Sequence, residues 1–234
     1  MKHYILPLFL ITLSFFYSQA QNPLIDGSRF VNQIKARNVT EINKDINAKG
    51  SAYINDVFLP IKVLNQKENN LFLARYNAYN GDMEIKDVDS NSDITRALLI
   101  DTNDFIIEFM KDGKTYQSYN YIDENNNQKR DFFVNLVSTN RVSLLKKETV
   151  VFKEEVIAKS SYDKNKPAEF KRLSDTYYLK IGTDNAIEVP SNKKELAGLF
   201  PKHEGDIKTF IKKNRIKTSK EEDLIQLVDY INTL

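Results

Sequence analysis

Four times along this chain, a short run rich in apolar residues stops at turn-forming residues and a second run begins within a few positions. Residues 71–79 (LFLARYNAY) are apolar and aromatic and meet Asn80–Gly81, after which Met83 and Ile85 alternate with Asp82, Glu84 and Lys86. Asn-Gly between two such runs predicts a tight β-hairpin with φ > 0 at both central residues. Phe105, Ile107 and Phe109 lead in the same way to Asp112–Gly113, and residues 115–121 (TYQSYNY) run back. Residues 132–137 and 141–145 predict a third hairpin around Ser138–Thr139–Asn140, with 149–152 extending its return strand. Residues 177–181 and 186–189 predict a fourth, around 182–185 (GTDN). Pro60 inside the run 58–63 predicts an edge strand, because proline cannot donate to a ladder. The charged stretch 159–174 contains Pro167, shows no period and predicts a long surface loop. Strands this close, joined by turn chemistry, predict an antiparallel sheet curled into a sandwich or partial barrel.

The period changes near the C-terminus. Residues 192–200 predict a short helix stopped by Pro201, and residues 204–214 place Ile207, Phe210 and Ile211 on one helical face. Ser219 and Glu222 have the spacing of a capping box, and Leu224, Leu227, Val228, Ile231 and Leu234 then form an amphipathic stripe. The fold class is therefore α+β: a β-rich domain over residues 50–190, with helices from 191–234 packed on it.

At the other end, residues 4–17 (YILPLFLITLSFFY) are uncharged and almost wholly apolar, behind a short basic start and ahead of Ser18–Gln19–Ala20. That is the layout of a secretory signal peptide over residues 1–20. The run is shorter than the roughly 20 residues of a spanning helix, and no later run replaces it, so a soluble exported chain without a transmembrane span is expected after cleavage. Residues 21–49 form a polar arm with isolated apolar positions. The expected location is the periplasm or outer cell envelope, or outside the cell.

Composition then removes whole chemistries. The chain has no Cys, no Trp and two His, one of which, His3, lies in the leader. Disulfides, thiolate metal sites and Cys nucleophiles are excluded, and His203 alone cannot build a multi-His metal centre. The 34 basic and 32 acidic residues nearly balance, which gives no reason to expect binding to nucleic acid. Asp123, Asn125, Asn127 and Asp131 imitate the first half of a calcium loop, but Gln128 and Val134 stand where that loop needs Gly and Glu. A solvated turn is the expectation there and at Asp87, Asp89, Asn91 and Asp93. Ser-x-x-Lys occurs at Ser143, Ser161 and Ser191 without the companion elements of an acyl-transfer site. The basic run 208–220 (KTFIKKNRIKTSK) is read as charge near a helix end, with contact to an anionic surface or partner as the alternative. No cofactor or metal is expected.

Arg75, Tyr76 and Tyr79 are the candidate partner-binding residues. They sit on one predicted strand beside a tight turn, and Arg and Tyr are frequent anchors of binding surfaces. Strand alternation supplies the competing expectation, with Tyr76 in the core and Arg75 and Asn77 facing water.

Residues 50–58 (GSAYINDVF), the Arg75–Tyr76–Asn77–x–Tyr79 motif with Met83–Glu84–x–Lys86, and 177–180 (YYLK) with 210–214 (FIKKN) and 221–225 (EEDLI) together resemble an uncharacterised family of exported proteins of Bacteroidota. The resemblance implies export and carries no activity, cofactor or site residue. The function expected is that of a non-enzymatic binding protein contacting an envelope protein or surface ligand. The alternative is a hydrolase using an Asp/Glu pair on a cell-wall or glycan substrate.

Overall fold

The computed structural model describes residues 48–64, 72–87, 105–158 and 163–234, with the backbone of two short strands at Arg37–Asn38 and Arg96–Leu98. The expected leader, most of the polar arm and the acidic residues 89–93 lie outside the described residues.

Among the described residues, fourteen strands and three α-helices make up the fold. The strands are β1 (Arg37–Asn38), β2 (Lys49–Gly50), β3 (Leu59–Val63), β4 (Phe72–Asn77), β5 (Asp82–Asp87), β6 (Arg96–Leu98), β7 (Ile107–Phe109), β8 (Thr115–Ile122), β9 (Gln128–Val137), β10 (Val142–Lys147), β11 (Val150–Lys153), β12 (Glu169–Arg172), β13 (Thr176–Ile181) and β14 (Ile187–Glu188). Helices α1 (Lys193–Gly198), α2 (Glu204–Lys213) and α3 (Glu221–Thr233) follow.

Nine strands form one open antiparallel sheet in the order β5-β4-β3-β7-β8-β9-β10-β13-β14, extended at the β5 edge by β6 and then β1. The chain leaves β3 outward through β4, β5 and β6, returns to β7 beside β3, and runs outward the other way through β8, β9 and β10. Between β10 and its neighbour β13 it detours into a second, three-stranded sheet in which β12 lies between β11 and β2. The last hairpin curls back onto β8, where the Ile122 amide donates to Ala186 O at 2.9 Å and the Ala186 amide donates to Asn120 O at 2.9 Å. The result is the α+β architecture expected, a curled antiparallel sheet with helices on one side.

Several local expectations are corrected. β3 is interior rather than an edge, paired to β4 through Leu59–Ala74 and to β7 through Ile61–Phe109. Pro60 is tolerated because its carbonyl, which accepts from the Met110 amide at 3.0 Å, points to the β7 side just beyond the end of that ladder. In an antiparallel strand the nitrogen points the same way, so the only bond forgone is the return bond to Met110 at the very end of that ladder. The stretch 159–174 is not all loop, since residues 169–172 form β12, and 150–153 form β11 of the second sheet rather than extending β10. The Asn80–Gly81 turn is four residues long, and only Gly81 (φ 78°) has positive φ. The Gly81 amide donates to Asn77 O, and Gly113 repeats this bond to Phe109 O. Ser219 does not cap α3: the helix begins at Glu221, and Asp223 instead accepts from the Lys217 amide at 2.8 Å.

β10 explains how three cores coexist. Val142 and Leu144 face the helices and pack with Leu179, Leu196, Ile207, Leu227 and Ile231. Leu145 faces the other way, into a cluster with Tyr121, Phe133, Tyr178 and Ala186. The third core lies under the first half of the sheet, where Ile61, Tyr76, Met83, Phe105 and Tyr116 meet Val150 and Phe170 of the second sheet. Helix α3 is pinned by Asn232, whose Oδ1 accepts from the Val142 amide at 3.1 Å and whose Nδ2 donates to Val142 O at 2.9 Å. The amphipathic stripe of α3 is therefore spent inside the protein. No helix among the described residues is long and apolar enough to cross a membrane.

The seam between β2 and β12 needs glycine at position 50. Gly50 has φ 77°, and a Cβ there would lie 2.2 Å from Phe170 O. Gly50→Ala should lower the free energy of unfolding in urea by at least the 1–3 kcal/mol of a strained residue. Gly182→Ala, at φ 55° with open space around it, should cost only the backbone term, of about 1–2 kcal/mol.

Candidate functional site

The three expected contact residues separate. Tyr76 is core: its ring centroid lies 5.1 Å from that of Tyr116 and 6.4 Å from that of Phe132. Arg75 keeps only 12% of its side-chain surface exposed, and its Nε donates at 2.8 Å to Oε2 of the fully buried Glu84. Its Nη2 donates to the Tyr53 hydroxyl at 3.0 Å, and that hydroxyl donates to Glu84 Oε1 at 3.0 Å. Its Nη1 reaches Asp56 O at 3.3 Å, and the guanidinium lies 3.9 Å from the Tyr53 ring centroid and 4.5 Å from that of Phe58. Arg75 thus clamps residues 53–58 onto the sheet. Tyr79 alone reaches the surface, 42% exposed, with its ring edge-on to Phe170 at 5.4 Å. Asn77 does not face water. It is buried, and its Oδ1 accepts from the Tyr79 and Asn80 amides.

A second polar cluster, not anticipated from sequence, lies where β10 ends. Glu148 is buried and accepts from Tyr116 in a short hydrogen bond, from Lys114 Nζ at 3.0 Å and from Arg172 at 3.2 Å. Arg172 also pairs with Asp175. One residue earlier, Lys147 Nζ lies 2.7 Å from Asp131 Oδ2 and donates to the Tyr121 hydroxyl at 2.7 Å. Burial alone would lower the pKa of Lys147, but the Asp131 charge and the bonds to Asp131 and Tyr121 outweigh it, leaving the ammonium above its usual 10.5. Burial pushes the Tyr76 hydroxyl well above the usual phenol range, helped by the neighbouring Asp131 and Glu148 charges. Burial and Glu148 act in the same direction on Tyr116.

The other candidates resolve into structure. Asp123 takes the Asn125 and Asn127 amides at the β8–β9 turn, and Lys129 lies 2.7 Å from its Oδ2. The Lys129 bond and those amides hold the carboxyl at about 2. Asp131, the fourth oxygen residue of that pattern, is instead paired with Lys147. Ser143 is buried, with its hydroxyl donating to Thr139 O at 2.8 Å. A polar cavity of about 270 Å³ opens between residues 117–120 of β8 and Lys180 and Asp184 near the last hairpin. An apolar groove of about 420 Å³ runs between α1 and α2, rimmed by lysines.

Comparison with protein-family models, with curated proteins and with solved structures finds no match.

Two stability outcomes follow from these clusters. Arg75→Ala leaves Glu84 buried without its cation and should cost about 3–5 kcal/mol in denaturant unfolding, most of it regained in the Arg75→Met/Glu84→Leu pair. The protein should also lose stability in alkali. Tyr76 and Tyr116 keep protons that an unfolded chain releases near pH 10, and the raised pKa of Lys147 acts with the same sign. Their stabilisation is complete below that pH and fades as pH rises through the folded-state values. In a pH titration followed by tyrosinate absorbance, these two rings should ionise only together with unfolding.

Proposed function

We propose that this chain is an exported protein of the periplasm or outer cell envelope that works by binding a partner rather than by catalysis. The observation that carries this reading is the use made of the buried carboxylates. Of the two buried acids among the described residues, Glu84 is held by Arg75 and the Tyr53 hydroxyl, and Glu148 by Lys114, Arg172 and the Tyr116 hydroxyl. Glycoside hydrolysis needs one carboxyl that gives a proton and a second that faces the substrate. Glu148 and Asp175 share the Arg172 guanidinium, so that pair of acids is closed by a cation. The leader-like residues 1–20 and the family resemblance support export.

In this reading Tyr79 is the contact residue, while Arg75 and Tyr76 hold its strand in place from beneath. Tyr79 has an apolar ring braced by Phe170 and a polar tip in solvent, the combination that suits an interface anchor. Crosslinking affinity capture from an envelope fraction should recover a partner with the wild-type protein and lose it with Tyr79→Ala, whose fold is unchanged by circular dichroism. Recovery of an identical set by the variant would overturn Tyr79 as the contact. Release of glycan or cell-wall fragments by the purified protein, lost in a folded Glu148→Gln variant, would replace binding with hydrolysis.

A further inference from the structure

The groove between α1 and α2 combines two properties that a solvated helix pair does not require. Its wall is the apolar side of Ile211 and the methylene stems of Lys193, Lys194, Lys208 and Lys212. Its rim carries the four ammonium groups of those lysines. The acids nearby are few: Glu195 bonds Asn192, Glu204 pairs with Lys208 one turn along, and Asp206 is exposed on α2. Such a site favours an occupant with apolar side chains and carboxylates at adjacent positions.

The chain carries a segment of that description that does not line the groove. Beyond β11, residues 154–157 read Glu-Glu-Val-Ile, with Ile157 69% exposed and Val156 54% exposed. Val156 is held in an extended bridge to Lys166, with both amide–carbonyl bonds made at 2.8 and 2.9 Å. The bridge orders the backbone at the centre of the segment, which lowers the entropic cost of docking. Glu154 and Glu155 are exposed beside the two aliphatic side chains, flanked by the exposed Lys153, Lys164 and Lys166.

We propose that this groove is a self-association site, and that its occupant is the Glu154–Glu155–Val156–Ile157 segment of a second copy of the chain. On the extended segment Glu155 and Ile157 share one face, so Ile157 enters the groove over Ile211 while Glu155 meets the lysine rim. Groove and segment are different patches on one surface, so the contact is heterologous. It closes as a dimer if both patches meet their counterparts across a two-fold axis, and otherwise grows head to tail. The interface is small, so the association is weak and reversible. The proposal is independent of Tyr79.

Sedimentation velocity over a wide concentration range tests this directly. The wild-type protein should self-associate as concentration rises, less so in high salt, which screens the rim charges. Lys208→Glu/Lys212→Glu and Glu154→Lys/Glu155→Lys should each weaken association by about tenfold or more, since like charges then face each other, and Ile157→Ala should weaken it by removing the apolar contact. The decisive arm mixes the two charge-reversed variants, because each supplies what the other lacks and the mixture should associate where neither does alone. A wild-type protein that stays monomeric throughout overturns the proposal, as does a mixture no better than its components. Binding of phosphatidylglycerol vesicles by a monomeric wild-type protein, lost in Lys208→Glu/Lys212→Glu, would assign the groove to an anionic lipid surface and also overturn it.

Discussion

Burying the Glu148 carboxylate is the constraint on which both halves of the sheet depend. A buried anion costs several kcal/mol unless cations and donors are fixed around it. Here they come from three places: Lys114 at the end of the β7–β8 turn, Tyr116 in β8 and Arg172 in β12. None of these can be moved without leaving the charge uncompensated. The preceding residues extend the same logic by strand alternation. Lys147 points into the aromatic cluster and takes Asp131 and Tyr121, while Lys146 points to the opposite side and takes Glu221 on α3 at 2.8 Å. Three consecutive side chains at the end of one strand thus tie together the second sheet, the curl of the main sheet and the last helix.

The aromatic residues work around this junction rather than apart from it. Tyr76 and Tyr116 are core by their rings and polar by their hydroxyls, and they reach Asp131 and Glu148 respectively. They let two charged clusters sit against apolar cores without stranding a donor. Phe133, packed edge-on to both Tyr121 and Tyr178, fills the inside of the curl, and Lys147 lies within 4.3 Å of the Tyr121 ring centroid. Tyrosine suits this position because one residue can satisfy both neighbours.

The parts of this fold written in local chemistry were legible in the sequence. Four hairpins and the amphipathic helices follow from alternation and turn residues, and each is present within a few positions. What was not legible depends on partners distant in the chain. Pro60 reads as an edge residue until the length of β7 is known. Residues 169–172 read as loop because their strand exists only through β11 and β2. Arg75 stood out, but as a contact residue rather than as the counterion of Glu84. One signal was present: the hairpin register places Arg75 directly opposite Glu84, an opposite-charge cross-strand pair that the turn position alone could have revealed. The Glu148 cluster had no such signal, since its members come from three separate stretches of chain.

The parallel seam between β2 and β12 sets the order in which the molecule can be completed. Lys49 pairs with Glu169, about 120 residues later, so the first-made strand of the domain waits unpaired while nearly everything else is built. Contacts of that span are closed late, because their loop entropy must be met before they return any energy. A two-residue seam closed last is also the one most easily opened. The start of the domain is therefore a latch, and its release would expose the backbone edge of β12 while Tyr79 and Phe152 still cover Phe170.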